Sequence, residues 1–315
     1  MKKWYFLPIL LIPFVFLVAQ MPFTEQETTP PVTVQQETVP VQQETVPVQQ
    51  ETVPAQQETV QQAQKYVSHE TLNAILWMQT SGEFKGLCYQ AYNTAKLMLD
   101  RALADKNWCA DLVQQEENNY QDLPPAVILD IDETVLDNTI FQGSLILENK
   151  PYSGRSWNQW CKEARATALA GAAEFCNYAI QKGVAVYYVT NRWDSVKDVT
   201  EKNLVAQGFP LEEGKAEVYP KVKERTKGGR RAKVAQNHRI VLLVGDNNCD
   251  FSMLFNDTTV EERDKATEQY ATYWGTKWIL LPNPAYGDWE NSVLEHKQRL
   301  SDQERLQLKY SKIRK

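Results

Sequence analysis

The stretch Ala126-Val-Ile-Leu-Asp-Ile-Asp-Glu-Thr-Val-Leu-Asp-Asn138 decides the fold. Its four apolar residues, 126–129, follow two prolines and run directly into Asp130 and Asp132. A short, continuous apolar run of this kind is typical of a buried strand in a parallel sheet. The two carboxylates then lie at the carboxyl end of the strand, where open α/β sheets bind their ligands. Two carboxylates in that position can share a hard cation such as Mg²⁺, and one can act as a nucleophile. Taken alone, the stretch also fits a solvated acidic turn.

Three further apolar runs predict buried strands at Val184–Val189, Ile240–Val244 and Trp278–Leu281. Helical periodicity lies between strands, at Ala164–Ala179 and at Val196–Gln207, which Gly208 closes. Strands that alternate with helices predict an α/β fold with a Rossmann-like parallel sheet and right-handed crossovers.

The region before the first strand is also helical in pattern. From Tyr66 to Leu103, apolar residues recur at steps of three and four. We expect a mainly helical N-terminal and cap region, in which these helices flank the sheet or the entrance to the site. The segment Gly143–Cys161, by contrast, shows little periodicity.

Polar residues follow the predicted strands. Asp130 and Asp132 follow the first strand, Thr190 the second, and Asp246 and Asp250 the third. Because the carboxyl ends of parallel strands share one edge of a sheet, these residues can meet there. Such a group suits phosphoryl transfer, which needs an in-line nucleophile, charge neutralisation and fixed donors to the phosphate oxygens.

Several motifs together carry a family resemblance. They are Asp130-Ile-Asp132-Glu-Thr134, Val189-Thr-Asn-Arg192, a lysine within 221–227, Gly245-Asp246-Asn247-x-x-Asp250 and Leu281-Pro-Asn-Pro-Ala-Tyr286. Over about residues 66–300, the sequence resembles the haloacid dehalogenase superfamily, and most closely its class C acid phosphatases, which are exported 5′-nucleotidase-like enzymes.

The resemblance implies roles for the matching acidic residues. Asp130 is then the nucleophile, which forms an aspartyl-phosphate. Asp132 protonates the leaving oxygen and afterwards activates water. Asp130, the backbone carbonyl of Asp132 and Asp246 bind Mg²⁺, with Asp250 close by.

The resemblance also implies how a small phosphomonoester is held. Thr190, Asn191 and a lysine bind the phosphate. Lys227 is the first choice because Lys227-Gly-Gly-Arg matches the family pattern, and Lys223 is the second. Tyr152 and Tyr286 match positions that sandwich the ring of the substrate in related nucleotidases.

Two rival functions remain open at this point. One is a non-catalytic surface binding protein on the same scaffold. The other is phosphoryl transfer to an acceptor other than water. A role in binding nucleic acid polymers has no bulk electrostatic support, since the net charge is −6.

The chain divides into three predicted parts. Residues 1–23 begin with Lys2-Lys3 and an apolar run, which predicts a signal peptide or, if uncleaved, an N-terminal membrane anchor. Residues 24–64 repeat Val-Gln-Gln-Glu-Thr-Val-Pro and carry six glutamates but no lysine or arginine, which predicts a disordered linker. Residues 65–315 are the predicted phosphatase domain, in a periplasmic or cell-surface location. The resemblance further implies a homodimer.

The five cysteines leave one question about pairing. They include no Cys-x-x-Cys pair, so a zinc site is disfavoured. Cys88 and Cys109 are a candidate disulfide in an oxidising compartment.

Overall fold

A parallel sheet carries the fold, and its strands follow the predicted apolar runs. The computed structural model describes residues 69–314. The predicted N-terminal segment and the linker, residues 1–64, lie outside this range. Within it, five strands pair in parallel: β1 (Pro125–Leu129), β4 (Ala185–Trp193), β5 (Ala216–Lys221), β6 (Arg239–Gly245) and β7 (Trp278–Leu280).

The strand order is β5-β4-β1-β6-β7, so β1 lies at the centre of the sheet. Its side chains from Ala126 to Leu129 are buried, as the apolar pattern predicts. Helices pack on both faces and complete two apolar clusters, one on each side of the sheet. The predicted α/β fold with a Rossmann-like parallel sheet is therefore confirmed.

The sequence did not reveal β5, which is an edge strand of this sheet. It contains Glu217, Pro220 and Lys221 and is only partly buried. Pro and charged residues are tolerated at an edge because one side of an edge strand has no ladder to complete. The second predicted strand is also longer than expected, since β4 continues through Thr190 to Trp193.

The helical pattern predicted before the first strand is confirmed. It forms α1 (Leu72–Thr80) and α2 (Gly82–Ala104), and a short helix, α3 (Leu112–Glu117), precedes β1. The longest of them, α2, buries Tyr92, Ala95 and Leu99 against the sheet and α6 (Ala172–Gln181).

Two predictions for the region between β1 and β4 were wrong in detail. Gly143–Cys161 largely belongs to two helices, α4 (Thr139–Leu147) and α5 (Gly154–Glu163). The helix expected from Ala164 begins only at Ala172, in α6. Ala164 instead takes a left-handed conformation that ends α5. The intervening residues form β3 (Thr167–Ala168), which pairs antiparallel with β2 (Leu136–Asp137). Residues 136–168, which contain β2, α4, α5 and β3, form the helical cap.

The remaining helices follow the strands along the chain. They are α7 (Lys197–Ala206), α8 (Gly228–Ala235), α9 (Val260–Gln269), α10 (Asp288–Val293) and α11 (Asp302–Ser311). Among the helices of residues 69–314, none combines the length and apolar character that a bilayer crossing requires.

All five cysteine thiols are free and buried in the structure. The candidate pair Cys88–Cys109 is therefore not formed. Burial raises the pKa of Cys88 to about 11 and that of Cys109 to about 12, so both stay protonated at neutral pH.

Candidate active site

Three carboxylates from different parts of the chain meet at the carboxyl edge of the sheet. Asp130 follows β1, Asp246 follows β6, and Asp250 lies in the turn after it. One oxygen from each lies within 4.8 Å of the others. The predicted meeting of these three residues is therefore what the structure shows.

The loop after β6 needs a glycine to bring Asp250 into this group. Asp250 folds back over Gly245, where an added Cβ would lie only 2.5 Å from the Cβ of Asp250. The Asp250 carboxylate also accepts the backbone N–H of Asn247, at 3.1 Å. Glycine at 245 thus permits a tight turn that a larger residue would open.

Lys227 is the cation that enters this acidic group. It is buried, forms an ion pair with Asp130, and places its Nζ 2.6 Å from the Asp250 Oδ1. Burial by itself lowers the pKa of Lys227, but the charges of Asp130 and Asp250 outweigh that effect and raise it. Lys223, the second choice from the sequence, is exposed. The geometry therefore places Lys227 at the site.

One lysine does not balance three carboxylates, of which Asp250 is buried and Asp130 and Asp246 are partly buried. Burial and the neighbouring carboxylates raise the pKa of Asp130 well above its ordinary value, although Lys227 opposes the shift. Burial and the charge of Asp250 raise the pKa of Asp246 to about 7. The donors are all oxygen atoms, and the group carries excess negative charge when ionised. Both properties fit a hard divalent cation.

The orientation of Asp246 is fixed by two side chains. Thr134 donates to its Oδ1 at 3.1 Å, and Asn283 donates to its Oδ2 at 2.8 Å. Hydrogen bonds of this kind orient metal-ligating carboxylates in proteins. Asn283 belongs to the motif Leu281–Tyr286, which predicts no role for it.

Asp132 has a different environment from the other three. Its carboxylate pairs with Arg192, whose Nη2 lies 2.8 Å from Oδ1, and it accepts a hydrogen bond from Asn138 at 3.0 Å. It stands apart from the group formed by Asp130, Asp246 and Asp250. The structure thus separates two kinds of carboxylate that adjoin in sequence.

Two of the predicted phosphate-binding residues, Thr190 and Asn191, lie inside β4, where the ladder is irregular. Thr190 is buried, and its Oγ1 accepts the backbone N–H of Arg192, which leaves the hydroxyl proton free to donate. Asn191 is exposed, and Arg230 donates to its Oδ1 at 2.8 Å. Arg230 also donates to the Thr190 carbonyl oxygen. It therefore ties α8, which follows Lys227, to this part of β4.

The two tyrosines lie at different levels of burial. Tyr152 is 60% exposed and has its ring 6.3 Å from that of Phe141 and 6.5 Å from that of Trp157, in the cap. Tyr286 is half-buried beyond β7 and packs against the larger apolar cluster. Tyr152 therefore has a ring face available to a ligand.

Sequence reasoning missed the buried polar residues around Asp132. Arg192, Asn138 and Glu133 are almost fully buried. Arg192 lies three residues after the predicted strand Val184–Val189, so a charge close to the end of an apolar run could have indicated it. Asn138 gave no such signal, because its contacts depend on how the cap folds back.

The fold and the acidic group at its carboxyl edge define a phosphohydrolase of the haloacid dehalogenase type. The family model described as HAD superfamily, subfamily IIIB (Acid phosphatase), matches residues 23–289. The chain belongs to this family, within the class C acid phosphatases, and it is a phosphatase that acts on small phosphomonoesters.

Two solved structures of the class C acid phosphatase from Bacillus anthracis are similar to this chain. The one with tungstate bound is 37% identical, with a TM-score of 0.69, and the match covers 78% of this chain and 97% of that one. The other is 36% identical, with the same TM-score and coverage. The family and enzyme class expected from the sequence motifs are thus confirmed.

Proposed function

We propose that the protein is a Mg²⁺-dependent phosphomonoesterase that hydrolyses 5′-nucleotides and other small phosphomonoesters through an aspartyl-phosphate on Asp130. The observation that carries the proposal is the convergence of Asp130, Asp246 and Asp250 at the carboxyl edge of the sheet, where Lys227 pairs with Asp130 and Asp250. This arrangement supplies a nucleophile, a cation for the phosphate and oxygen ligands for a metal in one place.

The proposed metal ligands are Asp130, the backbone carbonyl of Asp132, Asp246 and Asp250. When bound, Mg²⁺ would neutralise negative charge on the phosphate and on the crowded carboxylates. Thr134 and Asn283 hold the Asp246 carboxylate in one orientation for this task.

The two aspartates after β1 divide the covalent chemistry between them. Asp130 attacks phosphorus through a carboxylate oxygen, and the bond from phosphorus to the leaving oxygen breaks. Asp132 gives its proton to that leaving oxygen. Water then attacks phosphorus and gives a proton back to Asp132, and the bond to Asp130 breaks to release phosphate.

Lys227, Thr190 and Asn191 are the proposed donors to the phosphate oxygens. Lys227 stays charged, and Thr190 keeps a hydroxyl proton to donate. The tungstate in the Bacillus anthracis structure supports an oxyanion site in this family, since tungstate is a tetrahedral oxyanion like phosphate.

The proposed preference for nucleotides rests on Tyr152 and Tyr286. An aromatic ring stacked on a base contributes about 1–3 kcal/mol and tolerates different bases. The exposed ring of Tyr152 supports this role.

A phosphate-release panel tests the proposed function. It compares 5′-nucleotides, ribose 5-phosphate and p-nitrophenyl phosphate, with added Mg²⁺ or with EDTA. We expect Mg²⁺-dependent release and a higher kcat/KM for nucleotides than for ribose 5-phosphate. Activity that persists in EDTA would contradict the metal dependence. Equal kcat/KM values for a 5′-nucleotide and for ribose 5-phosphate would contradict stacking on the base.

Tyr286→Ala extends the panel to a single ring. It should lower the ratio of kcat/KM for a nucleotide over ribose 5-phosphate, by about 1–3 kcal/mol in free energy. Tyr310→Ala, at an exposed tyrosine of α11, is the matched control and should leave the ratio unchanged.

Export, the N-terminal parts and the oligomeric state complete the proposal. Residues 1–23 direct export or anchor the chain at a membrane, and residues 24–64 separate this segment from the enzyme. A chain that begins at Lys65 should keep the full kcat and lose any membrane association, which fractionation measures. Sedimentation of the same chain tests the implied homodimer.

A further inference from the structure

We propose that Arg192 and Asn138 are positioning residues for Asp132, which hold its carboxyl group through Oδ1 and leave Oδ2 available to the leaving oxygen of the substrate. This inference rests on the proposed function, in which Asp132 protonates the leaving oxygen. It adds two residues to the reaction that contact Asp132 and act through it.

The hydrogen bonds to Asp132 all arrive at one oxygen. Arg192 donates to Oδ1 from Nε at 3.0 Å, its Nη2 lies 2.8 Å from the same oxygen as an ion pair, and Asn138 donates to it from Nδ2 at 3.0 Å. Among residues 69–314, no group donates to Oδ2. Both partners therefore hold the carboxyl group through Oδ1, and Oδ2 remains available to the leaving oxygen.

Arg192 is held in place by contacts beyond Asp132. Its side chain is almost fully buried, and its Nη1 donates to the Oγ1 of Thr200 on α7 at 3.2 Å. Its guanidinium carbon lies 5.7 Å from the ring centroid of Trp157 in the cap. Burial by itself lowers the pKa of Arg192, but the charge of Asp132 outweighs it and raises the pKa, so the donor stays charged.

The amide of Asn138 is oriented by Trp160. The indole Nε1 of Trp160 donates to the Asn138 Oδ1 at 2.7 Å, and Arg192 donates to the same oxygen at 3.3 Å. An indole N–H is only a donor, so it fixes the amide oxygen on its side and turns the NH₂ group towards Asp132. The Asn138 backbone N–H donates to the Glu133 Oε1 at 2.9 Å, which fixes the main chain as well.

The consequence is a defined path for the proton. As the bond between phosphorus and the leaving oxygen breaks, the proton moves from the Asp132 Oδ2 to that oxygen, while Arg192 and Asn138 hold Oδ1. Water later returns a proton to the same Oδ2. If the positioning residues are lost, the carboxyl group can rotate and spend less time with its proton aimed at the leaving group.

Leaving-group dependence tests this role directly. A good leaving group such as p-nitrophenolate needs little protonation, whereas the alkoxide from ethyl phosphate needs a great deal. We therefore expect Arg192→Met to reduce kcat/KM about 10-fold to 100-fold more for ethyl phosphate than for p-nitrophenyl phosphate, within the contribution that general acids make. Across a series of aryl and alkyl phosphates, log kcat/KM should fall more steeply with the pKa of the leaving group than in the wild type. Arg192→Lys, which keeps a charged donor, should recover part of the difference.

Arg239→Met is the matched control, because Arg239 is equally buried but lies at the amino end of β6. It should leave the slope unchanged even if it lowers stability. Trp160→Phe keeps a ring and removes the indole N–H, and it should steepen the slope by a smaller amount in a folded protein.

Parallel slopes for wild type, Arg192→Met and Trp160→Phe would overturn the positioning role and leave the phosphatase assignment intact. Failure of the wild type to release phosphate from any ester would overturn the proposed function itself, and the positioning role with it.

Discussion

The two ends of strand β6 show how one sheet separates stability from chemistry. At its amino end, the buried Arg239 donates from Nη1 to the carbonyl oxygens of Asp105 at 2.6 Å and Trp108 at 3.1 Å. These carbonyl groups lie just after α2, so the Arg239 guanidinium supplies a charged donor near the C-terminal end of that helix. At the carboxyl end, Asp246 stands among like charges, and its pKa is raised to about 7.

The difference is one of compensation. The charge of Arg239 meets backbone carbonyl dipoles beyond the C-terminal end of α2, where a cation is favourable. The carboxylates at the other end are only partly balanced by Lys227, and they repel one another. We infer that the amino end stabilises the fold, whereas the carboxyl end costs stability and provides a site for phosphate and metal.

The largest expected effect comes from Asp130→Asn at the carboxyl end. An amide has nearly the same shape as a carboxylate but is a poor nucleophile and a weaker metal ligand. We expect kcat to fall about 10⁴-fold or more, with the far-UV circular dichroism spectrum unchanged. Near-normal turnover by the folded variant would remove Asp130 from the nucleophilic role.

The next effect in size is on stability, at the amino end. Arg239→Met removes the donor to the carbonyl groups after α2, and we expect the free energy of unfolding to fall by about 2–3 kcal/mol. Urea denaturation measures this change. Because Arg239 lies away from the proposed site, kcat should be unaffected, and a large drop in kcat would break the separation of the two ends.

A smaller, opposite effect on stability is expected from Asp246→Asn. A carboxyl group whose pKa rises on folding from 3.8 to about 7 binds its proton more tightly in the folded state. Metal-free wild type should therefore lose stability as the pH rises from about 4 to about 7.

Asp246→Asn should remove part of this loss, by about 1–3 kcal/mol at neutral pH in EDTA, while it abolishes activity. Urea denaturation at several pH values in EDTA measures the free energy of unfolding of wild type and of Asp246→Asn as a function of pH. If the variant is less stable than wild type at neutral pH, repulsion between the carboxylates at the carboxyl end of β6 does not lower the stability of the fold.

Much of the fold followed from patterns that burial imposes on the chain. The apolar runs at β1, β4 and β6 marked the central strands, because such strands are apolar on both faces. The edge strand β7 was predicted because Trp278 and Ile279 are apolar and buried. Strand β5 was not predicted because it contains Pro220 and charged residues, which an edge strand tolerates. The helix start at Ala172 was missed because Ala164–Gly171 is composed of residues that also favour helices, while tertiary pairing of β3 with β2 decided their conformation.

The candidate site shows the same division between local and tertiary signals. Asp130, Asp246 and Asp250 follow predicted strands, so a parallel sheet was enough to bring them to one edge. The pairing of Asp132 with Arg192 and Asn138 could not be read from the chain, because it depends on the irregular end of β4 and on the cap. The choice of Lys227 over Lys223 was left open by the sequence and depends on which side chain the loop before α8 buries.

The stereochemical course of hydrolysis tests the central claim, covalent catalysis by Asp130, most directly. A phosphorothioate ester made chiral at phosphorus with oxygen isotopes is hydrolysed in isotopically labelled water, and the configuration of the released thiophosphate is determined. Two successive in-line displacements, first by Asp130 and then by water, each invert the phosphorus centre. We therefore predict net retention of configuration, whereas net inversion would show a single direct attack by water and would contradict the aspartyl-phosphate.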